Sequence, residues 1–358
     1  MKKNKIKLFI VLFIIVIGFF SVFYFIFSNP KKTQNEEKKN DNVTENKKEE
    51  VPKEKEEEVP KEKVDIIDIN SKTRPLAISI NNTPVAVKVQ MGLNKAYIVY
   101  EIPTEGATSR LLALYKDVDD TKVGTVRSAR HNFVDFALES DAIFAAYGWS
   151  HYAEDDLKKH SIDYVQGIVG EGKFYRENPE HLASEHTVYG NTNKILDYAY
   201  NKKKYKKESD KTVLLNYNVS DVDLSKVEGN KTANKVTIPY GNIKTVFEYD
   251  NKTNNYTRIV NGKVATDYKT KEAFTTKNII IQRLNYSMCD DNYYWDLKTV
   301  GSGEGYFVTG GKYVPIKWEK SSRSAKTKYM YLDGKEIEVS DGRTYIEVQV
   351  KSKKSTFE

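Results

Sequence analysis

The chain has 358 residues, 39% hydrophobic and 12% aromatic with 25 Tyr, a composition that excludes wholesale disorder and suits a folded, Tyr-rich, partly β protein. Its single cysteine, Cys289, excludes an intramolecular disulfide and a cysteine-based metal cluster. The net charge of +7 forms no nucleic-acid footprint: Lys2, Lys3, Lys5 and Lys7 precede an apolar segment, no zinc-finger, RNA-recognition or dinucleotide signature is present, and nucleic acid is not expected as a partner.

Residues 6–28 read IKLFIVLFIIVIGFFSVFYFIFS, close to the roughly 20 apolar residues that cross a hydrocarbon core. No small-residue cleavage site follows, so the segment is expected to stay as an N-terminal transmembrane helix and to be the contact with the membrane. Lysines ahead of it place the N-terminus inside and everything after Pro30 on the extracytoplasmic face, as a single-pass protein of the cell membrane. Residues 31–65 are almost only Lys, Glu, Asn, Pro and Thr, with EEVPKEK at 49–55 and again at 57–63. That composition has no apolar period and predicts a disordered linker, with a reach of roughly 30 Å.

Beyond the linker the pattern changes to short apolar runs. RPLAISINN at 74–82 predicts a buried strand, and AYIVYE (96–101) and SRLLALYK (109–116) predict a hairpin turning through Pro103 and Gly106. GTVRSAR (124–130) leads into a helix expected over 128–139, capped by Ser128, with Phe133, Phe136 and Ala137 at helical spacing. A strand is expected in DAIFAAYG (141–148) and a second helix over 193–200, running into the basic NKKKYKK at 201–207, read as a solvated helix end or a weak site for anionic polymers or headgroups. After about 211, strands separated by NNY, NGK, TGGK and LDGK turns dominate. The resulting fold class is α+β: a mixed α/β domain at 66–210 and a mostly antiparallel β domain at 211–358.

RPLAISINN, AYIVYE-x(3)-EG-x-TSRLLALY, GTVRSAR, GSGEGYFVTGGKYVPIKW and YLDGKEI occur in this order across nearly all of 65–350. The combination resembles the YerB-like family of Gram-positive bacteria, described as lipoproteins, with paired N- and C-terminal domains of unknown function. The resemblance implies an extracytoplasmic, membrane-attached protein with no established reaction. Many members look lipid-anchored through an N-terminal cysteine, which this chain lacks.

Polar residues concentrate between Glu101 and Arg130. The hairpin would bring Glu101, Glu105 and Arg110 near one tip, where two carboxylates could act as acid and base in glycan cleavage, or a Glu–Arg pair could hold the hairpin. Arg127 and Arg130 flank a helix start, where guanidinium forks and backbone N–H groups favour a carboxylate or phosphate; internal pairing with Glu101, Glu105 or Asp135 is the competing reading. The five histidines, His131, His151, His160, His181 and His186, lack HExxH spacing, and neither a metal nor a cofactor is expected. His186 is the preferred functional histidine, with Tyr189 beside it in EHTVYGNT. GSGEG at 301–305 lacks a P-loop setting and reads as a β-turn. Two functions stand side by side: a non-enzymatic protein binding a cell-wall polymer or envelope partner, with Arg110, Arg127, Arg130 and Tyr189 as ligand residues, and a peptidoglycan-directed hydrolase using Glu101 or Glu105.

Overall fold

The computed structural model describes residues 63–160, 162–289 and 293–358. The span expected at 6–28 and most of the linker lie outside these residues. Among the described residues no helix is long and apolar enough to cross a membrane. The expected α+β class is corrected by the architecture of the described residues, which is mostly β with three short α-helices among them, α1 (His131–Glu139), α2 (His151–Lys159) and α3 (Thr192–Asp197).

An 11-stranded mixed sheet runs through the described residues. Its strands in chain order are β1 (Leu76–Asn81), β2 (Ile98–Thr104), β3 (Thr108–Tyr115), β4 (Ile143–Ala146), β5 (Tyr164–Gln166), β6 (Lys231–Thr232), β7 (Asn278–Leu284), β8 (Gly301–Thr309), β9 (Lys312–Lys320), β10 (Lys328–Met330) and β11 (Thr344–Val350). The spatial order is β6-β9-β8-β7-β11-β2-β3-β1-β4-β5, with β10 paired to β9. The parallel pairing of β11 with β2 sets Glu101 opposite Glu347, so strands from the two expected domains share one sheet.

The reason for the unbroken apolar runs is burial on both faces of this sheet. On β2, Ile98, Tyr100 and Ile102 meet Phe133 and Phe136 of α1, and the Tyr100 and Phe136 rings lie 4.8 Å apart. Val99 points the other way, into a core with Leu111, Ala113, Ile279, Ile281 and Tyr345. That second face is covered by a 6-stranded sheet built on Lys235–Pro239, Lys244–Asp250 and Asn255–Val260, which contributes Val236, Ile238, Phe247 and Tyr256. Each such fully buried side chain stabilises the fold by about 1.5–3 kcal/mol. Helices, central sheet and second sheet therefore form three layers.

Two local expectations change. GSGEG is the start of β8, where Gly303 pairs with Trp318 of β9 and a Cβ at Gly303 would stand 2.6 Å from the indole Nε1. The glycine is demanded by the ring lying on the strand, and Trp318 Nε1 donates to the Arg283 carbonyl at 3.1 Å. Helix α1 begins at His131, with Arg130 at the N-cap and no side-chain cap, because the Ser128 hydroxyl is turned to the Tyr147 carbonyl at 3.2 Å.

Candidate functional site

The hairpin of β2 and β3 separates the two glutamates. Glu101 lies mid-strand and faces the second sheet, wholly buried. Its carboxylate accepts from Arg258 Nη2 at 2.8 Å, Asn82 Nδ2 at 3.0 Å, Ser109 Oγ at 2.7 Å and Thr245 Oγ1 at 3.0 Å. Arg258, equally buried, comes from the second sheet, so the ion pair bridges the two sheets. Burial, reinforced by the Glu101 charge, pushes the neighbouring Glu347 carboxyl well above its ordinary 4.5 despite Arg258. The Tyr240 hydroxyl donates to Glu347 Oε2 at 2.8 Å.

Glu105 sits at the turn after β2. Arg130 Nε donates to both its oxygens, at 3.0 and 2.9 Å, Arg130 Nη2 adds a further contact, and Arg110 Nη2 approaches at 3.4 Å. Burial alone would raise the Glu105 pKa, but hydrogen bonds and charge from Arg130, aided by Arg110, outweigh it and hold the group below the usual carboxylate range. Burial lowers the Arg110 pKa, and the like charges of Arg130 and Arg127 add to this. Arg110 Nη1 donates to the Ser128 carbonyl at 2.6 Å, which pins the GTVRSAR segment to β3.

Arg127 projects from that same segment. Its backbone N–H bonds the Ser79 carbonyl and its own carbonyl accepts from the Tyr147 N–H, so its position is set by β1 and by the residue that follows β4. Nη2 reaches Glu185 Oε1 only at 3.5 Å, and Nε has no hydrogen-bond partner among the described residues. His186 lies alongside. Asn81 Nδ2 stands 2.8 Å from His186 Nδ1, while Asn81 Oδ1 accepts from the Thr83 N–H, so the amide NH2 faces the ring and Nδ1 is the acceptor. The proton of the neutral ring is then on Nε2, which stands 3.5 Å from the same Glu185 Oε1. Burial lowers the His186 pKa; Glu185 opposes this and the Arg127 charge adds to it.

The arrangement can receive an anion: Arg127 and His186 both aim donors at one carboxylate oxygen, carried by a side chain that is 53% exposed. Arg110 and Arg130 lie behind, their positive charge offset by Glu105. Tyr189 does not join them. It is buried, its hydroxyl donates to the Val89 carbonyl at 3.1 Å, and its ring fills the space beside Gly124.

Two family profiles match the chain: the N-terminal domain of a protein of unknown function (DUF3048) over residues 65–206, and the C-terminal domain of the same family over residues 236–346. The chain belongs to this family. "Putative lipoprotein YerB" of Bacillus subtilis (strain 168) is 31% identical over 287 residues, 78% of this chain and 82% of that relative. The crystal structure of the YerB protein from Bacillus subtilis is 28% identical and matches with a TM-score of 0.67 over 77% of this chain and 90% of that one. In this member of the family, the central sheet draws strands from both matched segments.

Sequence reasoning missed three parts of the surroundings. Asn81 orients His186 from the end of β1, which only the strand register reveals. A hairpin of Tyr286–Met288 and Trp295–Leu297 brings Tyr294 over the Arg130 guanidinium at 5.4 Å. A cleft of about 360 Å³ beyond it is lined by His131, Asn132, Asp135, Asp156, Asp296 and Arg323. There Arg323 is held by Asp135, Asp156 and His160, burial lowers the His131 pKa, and His131 Nε2 lies 3.8 Å from Cys289 Sγ. Among the described residues no group of three or more His, Cys, Asp or Glu could hold a metal ion.

Proposed function

We propose that the protein acts in the cell envelope as a non-enzymatic binder of an anionic cell-wall polymer, taken up at Arg127 and His186 in place of Glu185. The observation that carries this is the position of Glu185 Oε1, 3.5 Å from both Arg127 Nη2 and His186 Nε2. Long contacts on an exposed side chain are weak, so an incoming phosphate or carboxylate displaces the internal one at small cost. The planar guanidinium of Arg127, which reaches Glu185 through Nη2, suits such a group.

The description of the Bacillus subtilis relative as a lipoprotein supports a membrane-attached place outside the cytoplasm, where phosphate- and carboxylate-bearing wall polymers are met. Binding is favoured over hydrolysis by the state of the two glutamates. A general acid needs a raised pKa and access to the leaving oxygen; Glu105 is lowered by Arg130, and Glu101 is sealed between two sheets.

The test is co-sedimentation of the full-length chain with purified walls, with and without their anionic polymers. Wild type is expected to sediment only with walls that carry the anions, and Arg127→Gln to lose most of that binding while keeping its circular dichroism spectrum. Equal sedimentation of Arg127→Gln and wild type would overturn the proposal.

A further inference from the structure

Beside the arginine cluster, on the other flank of the β2–β3 turn, is a cavity of about 260 Å³ lined by Pro103, Ala107, Tyr240, Tyr286, Trp295 and Val350, with Ser352 and Lys353 among its polar lining. Pro103 and Ala107 bracket the turn that carries Glu105, so the cavity and the guanidinium groups are separated by one tight turn.

Its walls are held from several directions. The Asn242 N–H donates to the Ala107 carbonyl at 2.7 Å and its side chain donates to the Gly106 carbonyl at 3.3 Å, tying the 240–242 turn to the β2–β3 turn. Gly241, at φ +89°, allows that approach, since a Cβ there would stand 2.7 Å from the Ala107 carbonyl oxygen. On the opposite wall, Asn132 of α1 donates to the Trp295 carbonyl at 2.6 Å and accepts from the Leu297 N–H at 3.0 Å. Tyr286 and Trp295 stack at 4.7 Å with only 22° between their planes, and Tyr286 remains 40% exposed.

We infer that this cavity is a subsite for one neutral pyranose ring of a glycan strand, which makes the polymer bound by the chain a glycan. The inference rests on the wall-polymer reading and gives it a substrate class. A wholly apolar ligand seeks an enclosed pocket, whereas a pyranose has one face of C–H groups and a rim of hydroxyls that stay in water. Half-exposed, stacked aromatic rings beside polar side chains match that division, and Tyr and Trp are amphipathic in the same sense. Continuity with the cationic cluster decides the rest: Tyr294, next to Trp295, lies over Arg130. A strand with a sugar on Trp295 and Tyr286 would thus carry acidic substituents past Arg130, which is held by Glu105, toward Arg127. Rigid walls also lower the ordering cost of binding.

The probe is a β-1,4-linked N-acetylglucosamine tetramer, which carries no charge and so does not depend on the arginines. Added to the full-length chain, it is expected to give a saturable heat in calorimetric titration. Trp295→Phe should weaken the tetramer by at least tenfold and Tyr286→Ala by a comparable factor, while Arg127→Gln leaves it within twofold. Tyr286 is exposed enough for its truncation to leave the fold intact, and circular dichroism checks this. No binding of the tetramer to wild type, or equal binding by wild type and both aromatic variants, overturns the sugar subsite. Loss of anionic wall polymer by Arg127→Gln with no tetramer binding would leave the polymer reading standing and remove this one. The converse pattern would do the opposite.

Discussion

Arg258→Met isolates what Glu101 does. In the wild type the buried pair is joined at 2.8 Å, and Arg258 Nη2 also donates to Asn82 Oδ1 at 3.0 Å. Methionine keeps much of the apolar stem and removes the charge, leaving the Glu101 carboxylate between two sheets with only the neutral donors Asn82, Ser109 and Thr245. Breaking one side of a buried ion pair costs about 3–5 kcal/mol. At about 2 °C per kcal/mol for a chain this large, the midpoint of thermal unfolding should fall by about 6–10 °C. The companion Glu101→Gln/Arg258→Met removes both charges and should recover part of the loss, because no unpaired ion is left. Differential scanning calorimetry of the three proteins reads this directly. If Arg258→Met unfolds within 1–2 °C of wild type, the pair does not hold the sheets together and the assignment of Glu101 as a structural carboxylate is refuted.

Further outcomes follow from neighbouring groups. Because the Glu347 pKa is raised above 4.5, the folded state holds that proton more tightly than the unfolded one, so its contribution is full below pH 4.5 and is lost as pH rises. Glu347→Gln should therefore gain stability relative to wild type as pH rises from 4.5, measured as the difference between their urea midpoints across pH. Glu105 has the opposite sign: its lowered pKa stabilises the fold above about pH 4.5, and Glu105→Gln should cancel the part of the acid-side loss that arises as pH falls through the folded-state value. Gly303→Ala presses a methyl into the Trp318 ring and should cost about 1–3 kcal/mol, read from urea unfolding. Glu185→Ala removes the internal occupant of the anion position, and its affinity for anionic wall polymer in a sedimentation assay should rise; a fall would mean that Glu185 helps to bind the ligand.

The parts of the fold visible in the sequence were those with local signals. The β2–β3 hairpin was legible because Pro103 and Gly106 interrupt two apolar runs, and the strand over 143–146 because IFAA is bounded by turn residues. Helix α2 was not, since only Ala153 and Leu157 are buried on it; its one clear sign was Ser150, whose hydroxyl caps Ala153. The fold class erred because short helical patches carry a strong period, whereas strands buried on both faces have none. For the candidate site, Arg127, Arg130, Arg110, Glu105 and His186 were within reach of residue type and spacing. That Glu101 turns away from the tip, and that Tyr189 is spent on Val89, depends on β pairing and on contacts made across long stretches of chain. Asn81 and the aromatic hairpin are ordinary in sequence and become informative only where the layers meet.

The central claim is that an anion sits between Arg127 and His186, and calorimetric titration of the full-length chain with a soluble anionic wall fragment at pH 6 and pH 8 tests it most directly. His186 Nδ1 accepts from Asn81 and burial lowers the ring's pKa, so the neutral ring serves the anion through its Nε2–H, and wild type should bind equally at pH 6 and pH 8 with a heat that does not depend on the buffer. His186→Gln and Arg127→Gln should each bind more weakly than wild type at both values. Binding that both substitutions leave unchanged would contradict the account.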